Sequence, residues 1–367
     1  MNQRFFAIIS GVGIISTIAL AWYVIQPTNT ISKNESSTTL ESIKDIQTTN
    51  GIKHIVPLDE IKSGGPPKDG IPPIDNPKFA KAQEAQFVSP DDLVIGLRLN
   101  EETRAYPLSI LVWHEIVNDK FGDIPVAVTY CPLCFTTQVF DRRVNTEETE
   151  FGTSGKLYNS NLVMYDRNTD SMWSQALGRS IVGELAGYEL KRIPFDLAKW
   201  SDWKELYPDT LVLTTDTGFS RPYGADPYGD YYTDSQIIFP VKNTDDRMHP
   251  KEKILGFDSE NSFKAYKISD VESQKIINDE IGEKVVLVSV APFAVRAFER
   301  TVDGQSLEFT LDGNKMVDSQ TGSEWSLEGA AISGPLKGKH LNRVVFNPGF
   351  WFEWVAFHPT TEVYQRT

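Results

Sequence analysis

The sequence predicts a β-rich α+β fold built from two degenerate tandem copies of one unit, packed with approximate two-fold pseudo-symmetry. Two observations lead to this prediction. Most apolar segments are short, rich in β-branched and aromatic residues, and separated by turn residues, which is typical of strands. In addition, an ordered series of motifs in residues 90–215 recurs in residues 250–367, and such recurrence indicates an internal duplication.

The recurring motifs keep their order along both copies. Ile95-Gly96-Leu97 recurs as Leu255-Gly256-Phe257. Further matched segments are 116–119 with 276–279, 166–174 with 318–326, 183–187 with 334–338, and Trp200-x-x-Trp203 with Trp351-x-x-Trp354. A segment rich in Tyr, Gly and Asp, residues 218–240, joins the two copies.

Within the first copy, the pattern predicts five strands and two short helices. Pro107 suits the first turn of one helix, which we expect to run to about Val117. The apolar spacing of residues 196–206 predicts the other helix, ended by Pro208. The predicted strands are 93–97, 124–130, 136–140, 157–165 and 211–215.

Composition limits the classes of function. The chain has 367 residues, of which 40% are hydrophobic, enough to fill the cores of two domains of ordinary size. Its formal net charge is −14, so its long-range field repels nucleic acid and anionic membrane surfaces. We therefore expect no nucleic-acid partner, while the oligomeric state stays open.

The N-terminal segment has the length of a membrane span. Residues 5–25 carry no charge, and a helix of that length would cross a hydrocarbon layer of about 30 Å. Arg4 precedes it, which favours an N-terminus inside and a body outside. We expect the chain to be anchored through residues 5–25 on the extracytoplasmic face of the cell membrane. The alternative is a cleaved signal peptide and secretion.

The predicted organisation follows from these observations. It consists of an anchor or signal segment at 1–27, a polar tether at 28–63, a first repeat unit at 64–217, a connector rich in Tyr, Asp and Gly at 218–249, and a second, degenerate repeat unit at 250–367.

The chain has two cysteines, which form one Cys-x-x-Cys motif. Cys131 and Cys134 follow a predicted strand, and His114 is a third potential donor on the first predicted helix. An ungapped alignment of the copies places Ala291, Ala294 and Gln274 opposite them. A site that is used only once can decay in the second copy, so this joint loss marks the three residues as a candidate reactive site.

A metal site is the preferred interpretation of these three donors. Thiolate and imidazole ligands suit copper, most easily Cu(I), or zinc, and three donors leave one coordination position open. Two cysteines argue against a blue-copper centre, which uses one. The expected function is that of a metal-binding oxidoreductase or electron-transfer protein, copper preferred, with an unknown small-molecule substrate or redox partner.

Two alternatives need no metal. Cys-x-x-Cys is also a signature of thiol–disulfide exchange, although that chemistry favours a cysteine at a helix N-terminus, and the residues after Cys134 predict a strand. The other alternative is a non-catalytic interaction module in which the cysteines stabilise a turn and His114 is a core residue.

Three further residues are weaker candidates for the same site. Glu115 and Asp119 are candidates for a supporting role, as hydrogen-bond partners of a ligand or as proton acceptors. Asn118-Asp119 recurs in the second copy, which favours a turn instead. Met164 is a possible weak thioether ligand, but a methionine within an apolar strand is typical of a core.

Several motifs resemble an exported prokaryotic family catalogued as domain of unknown function 3179. They are Arg104-Ala105-Tyr106-Pro107, the segment 113–119, Thr129-Tyr130-Cys131-Pro132-Leu133-Cys134, the Gly-Gly-Pro-Pro-Lys-Asp-Gly-Ile segment from Gly64, and the segment 162–167. The resemblance extends from about Gly64 to the C-terminus. It implies an exported protein in which these motifs matter, but no activity. Phe135 departs from the family pattern, which has glycine there more often.

Overall fold

The structure, a computed structural model, describes residues 46–259 and 262–366. Strands dominate it and the helices are short, so the predicted β-rich α+β class is confirmed. We call residues 93–213 region one and residues 253–363 region two.

Region one and the segment before it contain short strands and two helices. In chain order these are β1 (Gln47–Thr49), β2 (Ile52–His54), β3 (Ile61–Ser63), β4 (Phe79–Lys81), β5 (Leu93–Leu99), β6 (Glu102–Pro107), α1 (Leu108–Leu111), β7 (Ile116–Phe121), β8 (Ile124–Cys131), β9 (Thr136–Asp141), β10 (Arg143–Val144), β11 (Glu147–Glu148), β12 (Phe151–Tyr158), β13 (Asn161–Asp166), β14 (Met172–Ser174), β15 (Arg179–Val182), β16 (Asp196–Lys199), α2 (Trp200–Leu206) and β17 (Leu211–Leu213).

Region two has elements of the same kinds. They are β18 (Lys253–Ser259), β19 (Ser262–Lys267), α3 (Ile268–Gln274), β20 (Ile276–Ile281), β21 (Glu283–Ala291), β22 (Ala294–Glu299), β23 (Thr301–Val302), β24 (Gln305–Ser306), β25 (Phe309–Asp312), β26 (Lys315–Asp318), β27 (Glu324–Ser326), β28 (Asn347–Phe350), α4 (Trp351–Phe357) and β29 (Glu362–Val363).

The sheets of the two regions have similar strand orders. In region one, β16-β5-β6-β17 forms a sheet with β4 at its edge, and β7-β8-β9 forms a separate antiparallel meander. In region two, β28-β18-β19-β29 and β20-β21-β22 have the same orders. Both four-strand sets contain one parallel pair, β6 with β17 and β19 with β29. The remaining large sheet, β1-β2-β15-β14-β13-β12-β3, belongs to region one and the segment before it.

The repeated glycine and tryptophan motifs are packing contacts. A Cβ atom at Gly96 would lie 2.3 Å from the ring of Trp203, and one at Gly256 would lie 2.3 Å from the ring of Trp354. Because no side chain fits at that distance, each indole lies directly against the backbone of a strand, β5 or β18. Each indole nitrogen also donates to a threonine hydroxyl two residues after the shared proline.

Both predicted helices are shorter than the sequence pattern indicates. The helix predicted to run from Pro107 to about Val117 ends at Leu111, and His114 lies in the turn that follows it. Glu115 then adopts a left-handed φ of +60°, which prevents the helix from continuing. In the second predicted helix, residues 196–199 are strand β16, which pairs with β5, and the helix begins at Trp200.

The segment predicted as a polar tether is a strand region over part of its length. From residue 47 on it forms β1, β2 and β3, which pair at the two edges of the large sheet of region one. Asn50 and Gly51 both have positive φ, +52° and +81°, and join β1 to β2 as a two-residue hairpin turn. Residues 47–63 of this segment therefore form a hairpin and edge strands.

Residues 28–45 of the predicted tether, and the predicted anchor at 5–25, lie outside the described residues. Among residues 46–259 and 262–366, no helix is long and apolar enough to span a membrane.

Candidate functional site

The Cys-x-x-Cys motif forms the turn between β8 and β9. Cys131, the last residue of β8, pairs with Thr136, the first of β9, and the Cys134 amide donates to the Cys131 carbonyl at 3.2 Å. Phe135 has a φ of +57°, in the left-handed region where a bulky side chain is strained. Glycine adopts this conformation without strain, so the turn explains why glycine suits position 135.

The corresponding connection of region two is one residue shorter, because five residues separate the paired Ser289 and Val295 where six separate Tyr130 and Thr137. β21 ends at Ala291 and β22 begins at Ala294, so only Pro292 and Phe293 lie between the paired residues. Ala294 therefore occupies the position of Thr136. Phe293, with a φ of +63°, takes the left-handed position of Phe135, so Pro292 stands where region one has Cys134.

The ungapped alignment of Cys134 with Ala294 does not hold across this turn. The Ser289 amide donates to the Lys275 carbonyl as the Tyr130 amide donates to the Glu115 carbonyl, so Val290, and not Ala291, takes the position of Cys131.

Both cysteines are reduced and buried. Cys131 is 1% exposed and Cys134 is fully buried, with its thiol donating to the Ser160 carbonyl at 3.0 Å. Burial raises the pKa of Cys134 well above its ordinary value, and a hydrogen bond with Cys131 and the nearby Glu353 add to this effect. The two thiols are thus neighbours in a low-dielectric environment that disfavours the free thiolates.

Glu353, which the sequence analysis missed, reaches this turn from helix α4 of region two. It is 3% exposed, and its carboxylate lies near the Thr136 hydroxyl and within 3.5 Å of the Asn161 amide. Burial raises the pKa of Glu353 to about 8. The neighbouring Phe350 amide donates to the Cys134 carbonyl at 2.7 Å, which fixes the turn against β28.

One sequence signal pointed to Glu353. It occupies the third position of the second Trp-x-x-Trp motif, where the first motif has the acidic residue Asp202. Asp202 is partly exposed, so the similarity in charge did not reveal that Glu353 is buried beside the turn of the other region.

His114 is held by both ring nitrogens. Nδ1 lies 2.7 Å from the Pro72 carbonyl, and Nε2 lies 2.7 Å from the Tyr223 hydroxyl. Because a carbonyl only accepts, Nδ1 carries the proton and Nε2 accepts from Tyr223. Burial lowers the pKa of His114, which favours the neutral imidazole. A histidine with a backbone carbonyl on Nδ1 presents Nε2 as a potential ligand atom.

Glu115 is a buried carboxyl group between His114 and the strand that carries the cysteines. Its carbonyl accepts from the Tyr130 amide at 2.8 Å, and its side chain is 7% exposed. Burial raises the pKa of Glu115 to about 8. Its carboxyl forms no hydrogen bond or ion pair with the described part of the chain.

Tyrosines of the predicted connector cover this site. The Tyr231 hydroxyl donates to the Leu133 carbonyl, inside the Cys-x-x-Cys turn, at 2.9 Å. Tyr228 has a raised pKa because it is buried and because Glu115, Cys131 and other acidic groups lie near its hydroxyl. The connector therefore brings Glu115 and the cysteine turn under one cluster of phenol rings.

Asp119 and Met164 lie in structural surroundings. The Asp119 carboxylate, on β7, accepts from Arg104 at 2.6 Å and from the Tyr106 hydroxyl at 2.5 Å. Met164 is fully buried in β13, where it pairs with Thr153 on one side and with Trp173 on the other.

The structure thus brings Cys131 and Cys134 together, with Glu353 beside them, and holds His114 in a separate contact with Tyr223. Within the described ranges, no group of three or more His, Cys, Asp or Glu side chains is arranged to hold one metal ion. The arrangement can supply two thiols, buried carboxyl groups that carry protons, and an imidazole nitrogen that accepts a hydrogen bond from a tyrosine hydroxyl.

Comparison with known proteins gives one match. The searches of curated proteins and of solved structures found no match. A family model described as "Protein of unknown function (DUF3179)" matches residues 68–361, which is most of the chain. The match includes the motifs at 104–107, 113–119, 129–134 and 162–167 and the second half of the motif that begins at Gly64. The chain therefore belongs to the DUF3179 family.

Proposed function

We propose that this protein binds a soft metal ion through Cys131 and Cys134, with Cu(I) preferred and zinc as the alternative. The observation that carries the proposal is the pair of reduced, buried, adjacent thiols at a turn held on both sides by hydrogen bonds. Thiolates are the ligands that Cu(I) prefers, and a preformed pair reduces the ordering that binding requires.

The surrounding groups could become anionic ligands or neighbours of a bound cation. Glu115, Glu353 and the Cys134 thiol all have raised pKa values because they are buried, so each keeps its proton near neutral pH. A metal ion would stabilise their deprotonated forms and release protons as it binds. Metal binding and thiol–disulfide exchange both need the thiolate, which the raised thiol pKa disfavours. A bound metal ion would itself deprotonate the thiol, whereas exchange in the metal-free protein has no such help.

His114 is the proposed third ligand. Its Nε2 atom is unprotonated and is oriented by the Pro72 carbonyl, but coordination requires the Tyr223 hydroxyl to move away. Glu115 would then take a supporting role as proton acceptor. Asp119 and Met164 are weaker candidates because they are held in an ion pair and in the core.

A copper ion in this position would supply one-electron redox chemistry, which is the basis for an oxidoreductase or electron-transfer role. The chain's own contribution would be to exclude water through the phenol rings of the connector and to hold protons on Glu115 and Glu353.

We further propose that the two regions are copies of one duplicated unit, related by approximate two-fold pseudo-symmetry. Reciprocal contacts support this. Asp196 and Asn347 are the first residues of β16 and β28, and Gln138 and Arg296 are the third residues of β9 and β22. Arg296 donates to Asp196 at 2.6 Å, and Gln138 donates to Asn347. In both contacts, the third residue of one region's strand (β9 or β22) donates to the first residue of the other region's strand (β28 or β16).

A ring contact supports the same symmetry. Phe195 and Phe346 immediately precede β16 and β28, and their ring centroids lie 6.2 Å apart. In a two-fold arrangement, a residue that meets its own counterpart lies beside the axis. Under this proposal the repeat units are 64–217 and 250–367, joined by the connector at 218–249.

Anchoring on the extracytoplasmic face remains part of the proposal. The uncharged length of residues 5–25 supports it. Cell fractionation of the full chain and of a chain lacking residues 5–25 tests it: only the full chain should stay with the membrane after a salt wash.

The metal proposal is tested by elemental analysis of the full chain, purified without a histidine tag and loaded with Cu(I) or zinc under reducing conditions. Near-stoichiometric copper is expected, lost in Cys131→Ser/Cys134→Ser and weakened in His114→Ala. The matched control is Gln274→Ala, which changes the corresponding residue of region two and should retain the metal. Absence of both metals after loading would contradict the proposal, and a reversible dithiol/disulfide couple in that protein would favour thiol redox chemistry.

A further inference from the structure

A cavity of about 390 Å³ lies beside the cysteine turn. That volume is within the range of roughly 300–1,000 Å³ typical of small-molecule sites. Its wall is partly apolar, formed by Leu93, Leu108, Val112 and Phe135, and neither cysteine contributes to it. An apolar wall of this size suits the body of a small organic molecule.

The acidic residues at this cavity already have partners. Asp91 forms an ion pair with Lys199 at 2.6 Å. Asp92 accepts from the Ser89 amide at 3.1 Å. Asp226, also at the cavity, accepts from the Tyr228 amide at 2.8 Å and from the Tyr232 hydroxyl at 3.2 Å. Their negative charges are therefore partly satisfied within the protein.

Lys253 is the cavity residue whose charge is not satisfied. Within residues 46–259 and 262–366 its ammonium group makes no hydrogen bond and no ion pair, and it lies 4.5 Å from the ring centroid of Phe135 and 5.0 Å from that of Phe293. The ammonium group is partly buried, and this burial lowers the pKa of Lys253. At the corresponding first position of β5, Leu93 lines the same cavity.

We propose that this cavity binds a small organic monocarboxylate, with the carboxylate on the Lys253 ammonium group and an apolar body against Leu93, Leu108 and Val112. A single unpaired cation favours a monoanion over a phosphate, which in other proteins takes several donors. The three nearby aspartates further disfavour a ligand with two or more negative charges. The proposal does not rest on metal binding, because the wall contains none of the proposed ligands.

Benzoate is a suitable probe, with benzamide as its neutral isostere and benzylammonium as the cationic counterpart. Binding to the full chain in detergent is measured by titration calorimetry or by ligand-observed NMR. We expect benzoate to bind more tightly than either analogue. In Lys253→Met its affinity should fall on the order of tenfold or more, the effect of losing one charge-assisted hydrogen bond. Lys337→Met, which neutralises an exposed lysine outside the cavity, should leave it unchanged.

Two further variants keep the test informative if Lys253→Met folds poorly. Val112→Trp fills the cavity and should abolish benzoate binding while Lys253 remains. Cys131→Ser/Cys134→Ser removes the proposed metal ligands and should leave benzoate binding intact. Equal affinities for benzoate and benzamide, preference for benzylammonium, no binding at all, unchanged binding in Val112→Trp, or loss of binding in the cysteine variant would each overturn the proposal.

Discussion

Regions one and two share the contacts that pack each of them and differ where region one carries its candidate site. The Trp173 indole donates to Asp166 at 2.9 Å, and the Trp325 indole donates to Asp318 at the same distance. The tyrosine that contacts Asp119 in region one also has a counterpart, which contacts Asp279. These repeated residues are therefore explained by packing and hydrogen bonding.

The differences are concentrated around the cysteine turn. Lys275 in region two takes the left-handed backbone position that Glu115 takes in region one, Gln274 stands for His114, and Pro292 stands for Cys134 in the shorter turn. Region two has nevertheless kept a part in the site, because its helix α4 places Glu353 beside that turn. Region one thus carries both thiols, and region two contributes a buried carboxyl group to their surroundings.

The largest expected effect concerns the packing of a tryptophan on a glycine, which both regions share. Trp203→Ala and Trp354→Ala should each lower the free energy of unfolding by about 3–5 kcal/mol, because each removes a buried indole and leaves a cavity over a glycine. Urea denaturation followed by circular dichroism measures it, with Glu205→Ala, at an exposed position of α2, as a surface control. A cost below about 1 kcal/mol at only one of the two positions would break the comparison.

The second prediction concerns the two acidic residues of the Trp-x-x-Trp motifs. The folded-state pKa of Glu353, about 8, lies above its ordinary value of 4.5, so the folded state binds the extra proton between these pH values. Its contribution to stability is therefore fully present below about pH 4.5 and is lost as pH rises through 8. Between these pH values the free energy of unfolding should fall by on the order of 3 kcal/mol less in Glu353→Gln than in the unchanged protein. This figure allows for water penetration.

Asp202→Asn is the matched control for that variant. Asp202 is partly exposed and should change the pH dependence far less. The measurement is the free energy of unfolding of metal-free protein between pH 4.5 and 9. The idea fails if the two variants have equal pH profiles, since burial beside the turn would then have no special effect.

The smallest expected effect concerns the shared left-handed position. Lys275 has a φ of +67° at the end of α3 and an exposed side chain, so Lys275→Gly should raise the free energy of unfolding by about 1 kcal/mol. Lys284→Gly, at an exposed position within β21, should lower it by roughly 0.5–1 kcal/mol. A destabilised Lys275→Gly would mean that the lysine side chain, and not the backbone angle, determines stability there.

Local patterns were enough to predict several strands and the recurring motifs, but the single strand predicted at 157–165 is two strands, β12 and β13, joined by a turn at Asn159 and Ser160. Strands depend on alternation and on β-branched residues within a few positions, and β5, β8 and β9 lie where these patterns occur. The Asn50-Gly51 turn was also readable as a hairpin signal, but the polar composition around it was interpreted as a tether. Helix α1 was predicted too long because nothing nearby in sequence signals the left-handed Glu115.

The sequence by itself determined the β-rich class, the doubled motifs and the pairing of two cysteines on one turn, because each depends on residues close together along the chain. Only the tertiary structure decided that Glu353 lies beside Cys134, that Tyr223 occupies Nε2 of His114, and that Lys253 faces a cavity without an anionic partner. These arrangements depend on which distant segments meet and on how far burial weakens solvation, and neither follows from local sequence patterns.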